Sequence, residues 1–270
     1  MVLRTKMPFA KGALVYVNYT AKVKDTGETI ETTLEDQAKK LDIYDADRRY
    51  EPRLVAVGEE WVLKGLDEEI AKMDVGEKKT AELPPDKAWG DRDPTLLRMV
   101  PLRKFGEKAD ELRVGEEVEM DDRIAVIRFI GSGRAQVDFN HRLAGKTLIY
   151  EIEALRKVEP GEDTIRSLMK RRFPGEGEKM EFSQKEGEVA VTIPEEAFLV
   201  EGLQIIKRGI ANDILHFVPD VKKVAFNESY PRRESGREKG KSTQAAAESA
   251  TKAKAEAPEK EEKQEEKQTA

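Results

Sequence analysis

The sequence predicts an α+β fold: a curved antiparallel sheet wrapped against one helix, carrying a small all-β insertion and a C-terminal α-β-β-α-β module. Three observations predict it. Residues 13–24 alternate, with Val15, Val17, Tyr19, Ala21 and Val23 on one side, the period of a half-buried strand. Leu63, Leu66, Ile70 and Met73 recur at helical spacing. Between residues 92 and 138, short apolar runs are separated by Asp121-Asp122 and Gly131-Ser132-Gly133, the punctuation of a small β unit.

The elements can be taken in order. Asp25-Thr26-Gly27 is a turn signal, and residues 29–33 pair back as a hairpin. Residues 34–52 are polar and irregular, with short helical spacing at Leu34, Ala38 and Leu41, and read as a flexible loop. Residues 54–57 form a short strand stopped by Gly58. The helix ends at Asp74-Val75-Gly76, glycine being favoured just past a helix C-terminus. Residues 77–83 alternate as a strand and break at Pro84-Pro85. Val100-Pro101-Leu102 leads into the all-β unit, whose strands are read at 118–120, 123–130 and 134–137. Residues 140–155 return as the last strand of the first sheet. A unit entered and left at adjacent points reads as a domain insertion.

Pro160-Gly161 marks a linker. Asp163 or Thr164 caps a helix with Ile165, Leu168, Met169 and Phe173 on one face, stopped by Pro174-Gly175. Residues 179–184 and 188–193 flank Lys185-Glu186-Gly187 as a hairpin. Leu203, Ile206, Ile210 and Ile214 give a further helix, and residues 221–226 a last strand. After Tyr230 there is no Val, Ile, Leu, Met, Phe, Tyr or Trp. Such a tail cannot bury enough apolar surface to offset the entropy of ordering, and is expected to be disordered. The expected organisation is residues 1–91 with 139–157, the insert 92–138, a C-terminal module 158–230 and the tail 231–270.

Composition excludes several function classes. The 270 residues contain no cysteine, which removes disulfides, thiolate chemistry and Cys-ligated zinc. No apolar run has signal-peptide or membrane-span character, so a cytoplasmic chain without membrane partners is expected. Net charge is −6 with both signs mixed. Lys170-Arg171-Arg172 and Arg232-Arg233 are the nearest thing to a basic patch and read as solvated charge, so no nucleic-acid partner is expected. His141 and His216 are isolated from each other and make no metal site. Glu68-Glu69 and Asp121-Asp122 lack the spacing of a cation loop. No cofactor or metal is expected.

The segments Val15-Tyr16-Val17-Asn18-Tyr19-Thr20, Gly58-Glu59-Glu60-Trp61-Val62-Leu63-Lys64-Gly65-Leu66, Ala88-Trp89-Gly90 and residues 140–153, beginning Asn140-His141-Arg142-Leu143-Ala144-Gly145, occur in that order. Together they resemble the FKBP family of peptidyl-prolyl isomerases over most of residues 7–157. The interruption resembles the insert-in-flap domain of bacterial SlyD and long archaeal forms. Residues 158–230 resemble the extra C-terminal domain of those archaeal forms. The resemblance implies an isomerase of X-Pro bonds with chaperone activity, acting on unfolded or partly folded proline-containing polypeptides.

Carried over position by position, the resemblance implies catalytic roles for Tyr19, Glu31, Leu63, Trp89 and Tyr150. Ile30, Val62, Leu66, Leu143 and His141 would contact substrate, and the Leu63 backbone N–H would bond a substrate carbonyl. The chain departs from the family pattern at Ile30-Glu31, where Phe-Asp is usual, and at Trp89 and Tyr150, which replace Tyr and Phe. A chaperone surface is implied at Val126, Ile127, Phe129 and Ile130, half of which must face the insert's own core. The His-rich metal-binding tail of SlyD-type proteins has no counterpart here. A second reading is a non-enzymatic holdase or adaptor with a degenerate pocket, suggested by Ile30 and Glu31. The C-terminal module would mediate homodimerisation or extend a client-binding cradle.

Overall fold

A computed structural model describes residues 8–230; the tail expected to be disordered lies outside the described residues. In chain order the first elements are β1 (Leu14–Val23), β2 (Thr29–Thr32), α1 (Glu35–Lys40), β3 (Arg53–Ala56), α2 (Lys64–Ala71) and β4 (Lys78–Leu83). Next come β5 (Leu97–Pro101), β6 (Glu117–Met120), β7 (Arg123–Gly131), β8 (Arg134–Asp138) and β9 (Leu148–Lys157). The chain continues through α3 (Glu162–Arg172), β10 (Glu181–Lys185), β11 (Glu188–Thr192), α4 (Leu203–Phe217) and β12 (Lys223–Asn227).

The first sheet runs β2-β1-β9-β4, with β3 also paired to β1, all antiparallel. The alternation of β1 turns Val15, Val17, Tyr19, Ala21 and Val23 onto Leu66, Ile70 and Met73 of the α2 segment, forming one buried core. Gly65 lets α2 lie close to β4 and the turn that follows it. A Cβ there would stand 2.8 Å from Leu83 Cγ and 3.0 Å from the Lys87 carbonyl.

The four-stranded sheet, in order β5-β8-β7-β6, lies in sequence between β4 and β9, which are neighbours in the first sheet. It has its own small core of Val100, Ala125, Ile127, Ala135, Val137 and Phe139. Strand β5 escaped the sequence reading because only Val100 in it is buried, so it carries no alternating signal. Residues 140–147, expected as strand, are turns instead. The Ala144 amide bonds the His141 carbonyl, and Gly145 adopts φ 73°, which ends any extended run. Residues 34–52 are less irregular than expected, since α1 forms there and buries Ala38.

The C-terminal elements place β11 between β10 and β12 in a three-stranded sheet. Ile165, Leu168 and Met169 of α3 pack with Val189, Val191, Ile210 and Ile214. Leu14, Leu54 and Ala56, from β1 and β3, join that cluster. The first sheet is thus apolar on both faces near the start of β1, and the C-terminal elements cover its second face. The expected side-chain cap of α3 is absent. Gly161 holds the N-cap position, Asp163 binds Arg156 at 2.7 Å and the Glu159 amide at 3.0 Å, and Thr164 donates to the Glu159 carbonyl. Among the described residues no helix is long and apolar enough to cross a membrane.

Candidate active site

The sequence-predicted pocket residues converge on the first core. Tyr19 from β1, Tyr150 from β9, Leu66 from α2 and Leu143 from the 140–147 turns are buried in it. Ile30, Val62 and Leu63 pack at its edge, partly exposed. Pairing of Ala21 with Tyr150 and of Tyr19 with Ile152 puts the two tyrosines diagonally on one face. Their ring centroids are 5.6 Å apart at 50°. Leu63 stands just before α2 with extended-type φ −54° and ψ 141°. Its amide meets no acceptor among the described residues, as expected at a helix start, where the first N–H groups have no intrahelical partner.

Two residues outside the expected set hold the loop that presents Val62 and Leu63. Asp67 is buried, and its carboxylate accepts from the Gly58 amide at 2.9 and 3.0 Å and from the Glu60 amide at 3.3 Å. Its sequence signal was an aspartate four residues after Leu63, inside the apolar stripe of the helix. Trp61 lies under the Arg171 guanidinium, 3.5 Å from it, and meets Phe217 edge-on at 5.3 Å. His216 Nε2 lies 3.4 Å from the neighbouring Glu59 carboxylate.

Glu31 reaches Tyr19 despite its extra methylene. The Tyr19 hydroxyl donates to Glu31 Oε1 at 2.9 Å and accepts from Arg53 at 2.9 Å. Arg48 and Arg53 also donate to Glu31 Oε1, at 2.6 and 3.3 Å. Neither arginine carried a sequence signal, because both lie in or beside a polar stretch without period. Burial first, and then the Glu31 charge, push the Tyr19 hydroxyl up to about 12 against the opposing Arg53 charge. Burial, followed by Tyr19 and Glu31, raises Tyr150 as well. Both phenols are therefore neutral near pH 7.

Trp89 is 44% exposed and stacks on His141, with centroids 3.9 Å apart and planes 15° from parallel. His141 Nδ1 accepts from the Leu143 amide at 3.3 Å. Burial, then the Arg142 charge, lowers the His141 pKa. Asn140, which the sequence offered only as the first residue of its motif and with no role of its own, joins the two ends of the 92–138 segment. Its Oδ1 accepts from the Asp93 amide at 2.8 Å, while its Nδ2 donates to the Asp93 carbonyl at 3.0 Å and to Asp138 at 2.8 Å. Fully buried Asp138 also takes ion pairs from Arg92 and Arg128. The Gly145 amide bonds the Gly90 carbonyl.

Of the four residues expected on a chaperone surface, Ile127 is fully buried, and Ile130 packs against the same core. Val126 is half-buried, whereas Phe129 is 54% exposed and Ile124, earlier in the same strand, 70%. A bulge between Ile127 and Phe129 sets this division, because one extra residue reverses the facing of the strand beyond it. Among the described residues no group of three or more His, Cys, Asp or Glu is placed to hold a metal ion.

A family model described as FKBP-type peptidyl-prolyl cis-trans isomerase matches residues 6–155, and one described as FKBP26_C-terminal matches residues 161–231. A short-type peptidyl-prolyl cis-trans isomerase of Methanocaldococcus jannaschii is 36% identical over 152 residues, spanning 56% of this chain and 95% of that protein. The FKBP-type 16 kDa peptidyl-prolyl cis-trans isomerase of Escherichia coli K12 is 31% identical over 54% of this chain and 91% of its own length. The SlyD protein of Helicobacter pylori J99 is 29% identical over 46% of this chain and 69% of its own.

Proposed function

The chain belongs to the FKBP-type peptidyl-prolyl cis-trans isomerase family, and from that premise we propose that it isomerises X-Pro bonds at the Tyr19–Tyr150 pocket while the 92–138 unit holds unfolded polypeptide. The observation that carries the site assignment is the convergence of Tyr19, Tyr150, Leu66 and Leu143 in one core, with the unbonded Leu63 amide at its edge.

The chemistry needs neither nucleophile nor metal. Peptide-bond rotation is opposed by amide resonance, a barrier of about 18–20 kcal/mol. Twisting the C–N bond removes the charge separation that water solvates best, so an apolar wall favours the twisted state over the planar one. The Leu63 N–H holds the substrate carbonyl in place while the bond turns. Neutral Tyr19, fixed between Arg53 and Glu31, keeps the polar edge of the pocket in one geometry. A million-fold gain asks for about 8 kcal/mol of differential stabilisation. Glu31 does bond Tyr19, so one of the two departures that suggested a degenerate pocket, Ile30 and Glu31, is accommodated, which favours the enzyme over the pure holdase.

Ile124 and Phe129, with Met99 and Val114, are exposed apolar residues of this unit that would meet client chains. Holding a client raises the effective concentration of its prolines at the pocket. The test is proline-limited refolding of a protein substrate. The whole chain should accelerate it, and replacing residues 92–138 by a short linker should reduce catalysis on protein far more than on a short peptide. Equal losses on both substrates would remove the role given to the insert.

Homodimerisation through the C-terminal elements is part of the same proposal, supported by Leu199 and Ile205, which are 96% and 78% exposed. Deleting the module would uncover Leu14, Leu54 and Ala56. The cleaner test is therefore sedimentation of the Leu199→Glu, Ile205→Glu double variant, expected to be monomeric. An unchanged dimer, or a monomeric parent chain, would refute it.

A further inference from the structure

A cleft of about 500 Å³ adjoins the polar edge of the pocket, lined by Glu31 and Arg53 on one side and by Lys170, Arg171 and Arg172 on the other. Arg48, Arg49 and Glu51 complete its charged lining, and Tyr16, Pro52, Leu54 and Trp61 give it an apolar floor. The basic run at 170–172 read as ordinary surface charge in the sequence, and part of it is accounted for locally. Arg172 forms a bidentate pair with buried Asp213, and Lys170 meets Glu51 and Glu178. The last turn of a helix also favours cations.

The balance is nevertheless positive. Six cationic side chains face four carboxylates: Glu31 and Glu51 in the lining, with Glu178 and Asp213 behind it. Two positive charges are left over in a chain whose net charge is −6. Arg49 makes no ion pair among the described residues, and its guanidinium lies over Gly175, where a Cβ would clash. Arg48 and Arg53 share one oxygen of Glu31. Arg171 spends its planar face on Trp61 and is only 3.4 Å from the Asp213 carboxylate. Burial holds its pKa down, with the Arg172 and Arg53 charges acting in the same direction against Asp213.

We propose that this cleft is a second recognition subsite, which takes an acidic side chain of the polypeptide whose proline occupies the pocket, between Arg49 and Arg171. The inference rests on the isomerase reading of the Tyr19–Tyr150 pocket. The cleft and the pocket share Glu31 and Arg53, so a chain leaving the pocket past Glu31 enters the cleft directly. A guanidinium fork suits a carboxylate, and the apolar floor accommodates the methylenes that carry it. The elements after residue 158 thereby acquire a part in choosing which prolines are turned.

The experiment compares cis–trans exchange in peptides that share one X-Pro core. One set carries two glutamates beyond the core, on either the N- or the C-terminal side, and the others carry glutamine or lysine there. With the full chain, one glutamate placement should show kcat/KM about fivefold above the glutamine peptide, through KM, and the gain should shrink at high salt. The ratio should fall towards one in Arg49→Gln and in Arg171→Gln. If both Arg→Gln variants unfold, lysine-flanked peptides, turned more slowly than glutamine peptides by the parent chain, give the same reading. Equal turnover of glutamate, glutamine and lysine peptides overturns the subsite and leaves the isomerase standing. No turnover of any peptide overturns both.

Discussion

The two tryptophans of the chain stand in two loops that border the same pocket, and they are held in different ways. Trp61 belongs to a loop pinned by the buried Asp67 carboxylate and packed into the C-terminal core beneath Arg171 and against Phe217. Trp89 is exposed, touches His141, and sits in a loop joined by hydrogen bonds to the turns at 140–147. One border is therefore part of the packed interior of the molecule. The other is a hydrogen-bonded rim beside the entry and exit of the second sheet. On the site assignment proposed above, Leu63 belongs to the packed border and Trp89 to the hydrogen-bonded one.

Substitutions can break that contrast or sharpen it. The largest effect is expected for Asp67→Ala, which strips a charged acceptor from the Gly58 and Glu60 amides. It should cost about 3 kcal/mol in urea unfolding and lower isomerase activity with it. Asp67→Asn, which keeps one acceptor, should lose less. Trp61→Ala comes next, at about 2–3 kcal/mol, since loss of a large half-buried ring leaves a gap against the C-terminal core. Asn140→Ala should cost about 1–2 kcal/mol, and its kinetic effect should fall on KM, because it loosens the rim and leaves the core intact. Trp89→Ala should cost under about 1 kcal/mol yet lower kcat/KM about tenfold, equivalent to 1.4 kcal/mol at the transition state. If Trp89→Ala destabilised the fold as much as Trp61→Ala, the two borders would not differ.

Titration gives the smallest and most local test. Tyr19 has a folded-state pKa of about 12, above its ordinary 10.0. The folded state then holds its proton more tightly, so the contribution of Tyr19 to stability is full below pH 10.0 and is lost as pH rises towards 12. The tyrosinate absorbance that distinguishes the folded chain from Tyr19→Phe should therefore develop above pH 10.0, towards 12. On the rim, His141 in a His216→Gln background should titrate by NMR below the ordinary 6.5. A midpoint above that value would mean that the imidazole carries charge against Trp89.

Much of this was legible because period and punctuation survive in single segments. The alternation of β1, the helical stripe of α2 and the motifs around Leu63 and Leu143 each lie within a few residues of one another. The polar half of the site was not legible. Arg48, Arg53 and Asn140 act through partners 17, 34 and 47 residues away, and isolated polar residues carry no period. Glu31 showed in the sequence only as a departure from Phe-Asp, because side-chain length alone says nothing of the backbone position that lets it reach Tyr19. Strand β5 and the turns at 140–147 were misread for the opposite reasons, too little apolar alternation in one and apolar residues without strand geometry in the other. The joining of Leu14, Leu54 and Ala56 to the C-terminal core was hidden as well, since strand alternation does not say what covers a second face.

The most direct measurement is NMR exchange on a short X-Pro peptide, with the full chain and with a chain in which a short linker replaces residues 92–138. Both should accelerate cis–trans exchange well beyond its spontaneous time of tens of seconds, because the pocket lies in the first sheet and its helix. Exchange at the spontaneous rate with the full, folded chain would contradict the assignment of the Tyr19–Tyr150 pocket as the site that turns proline.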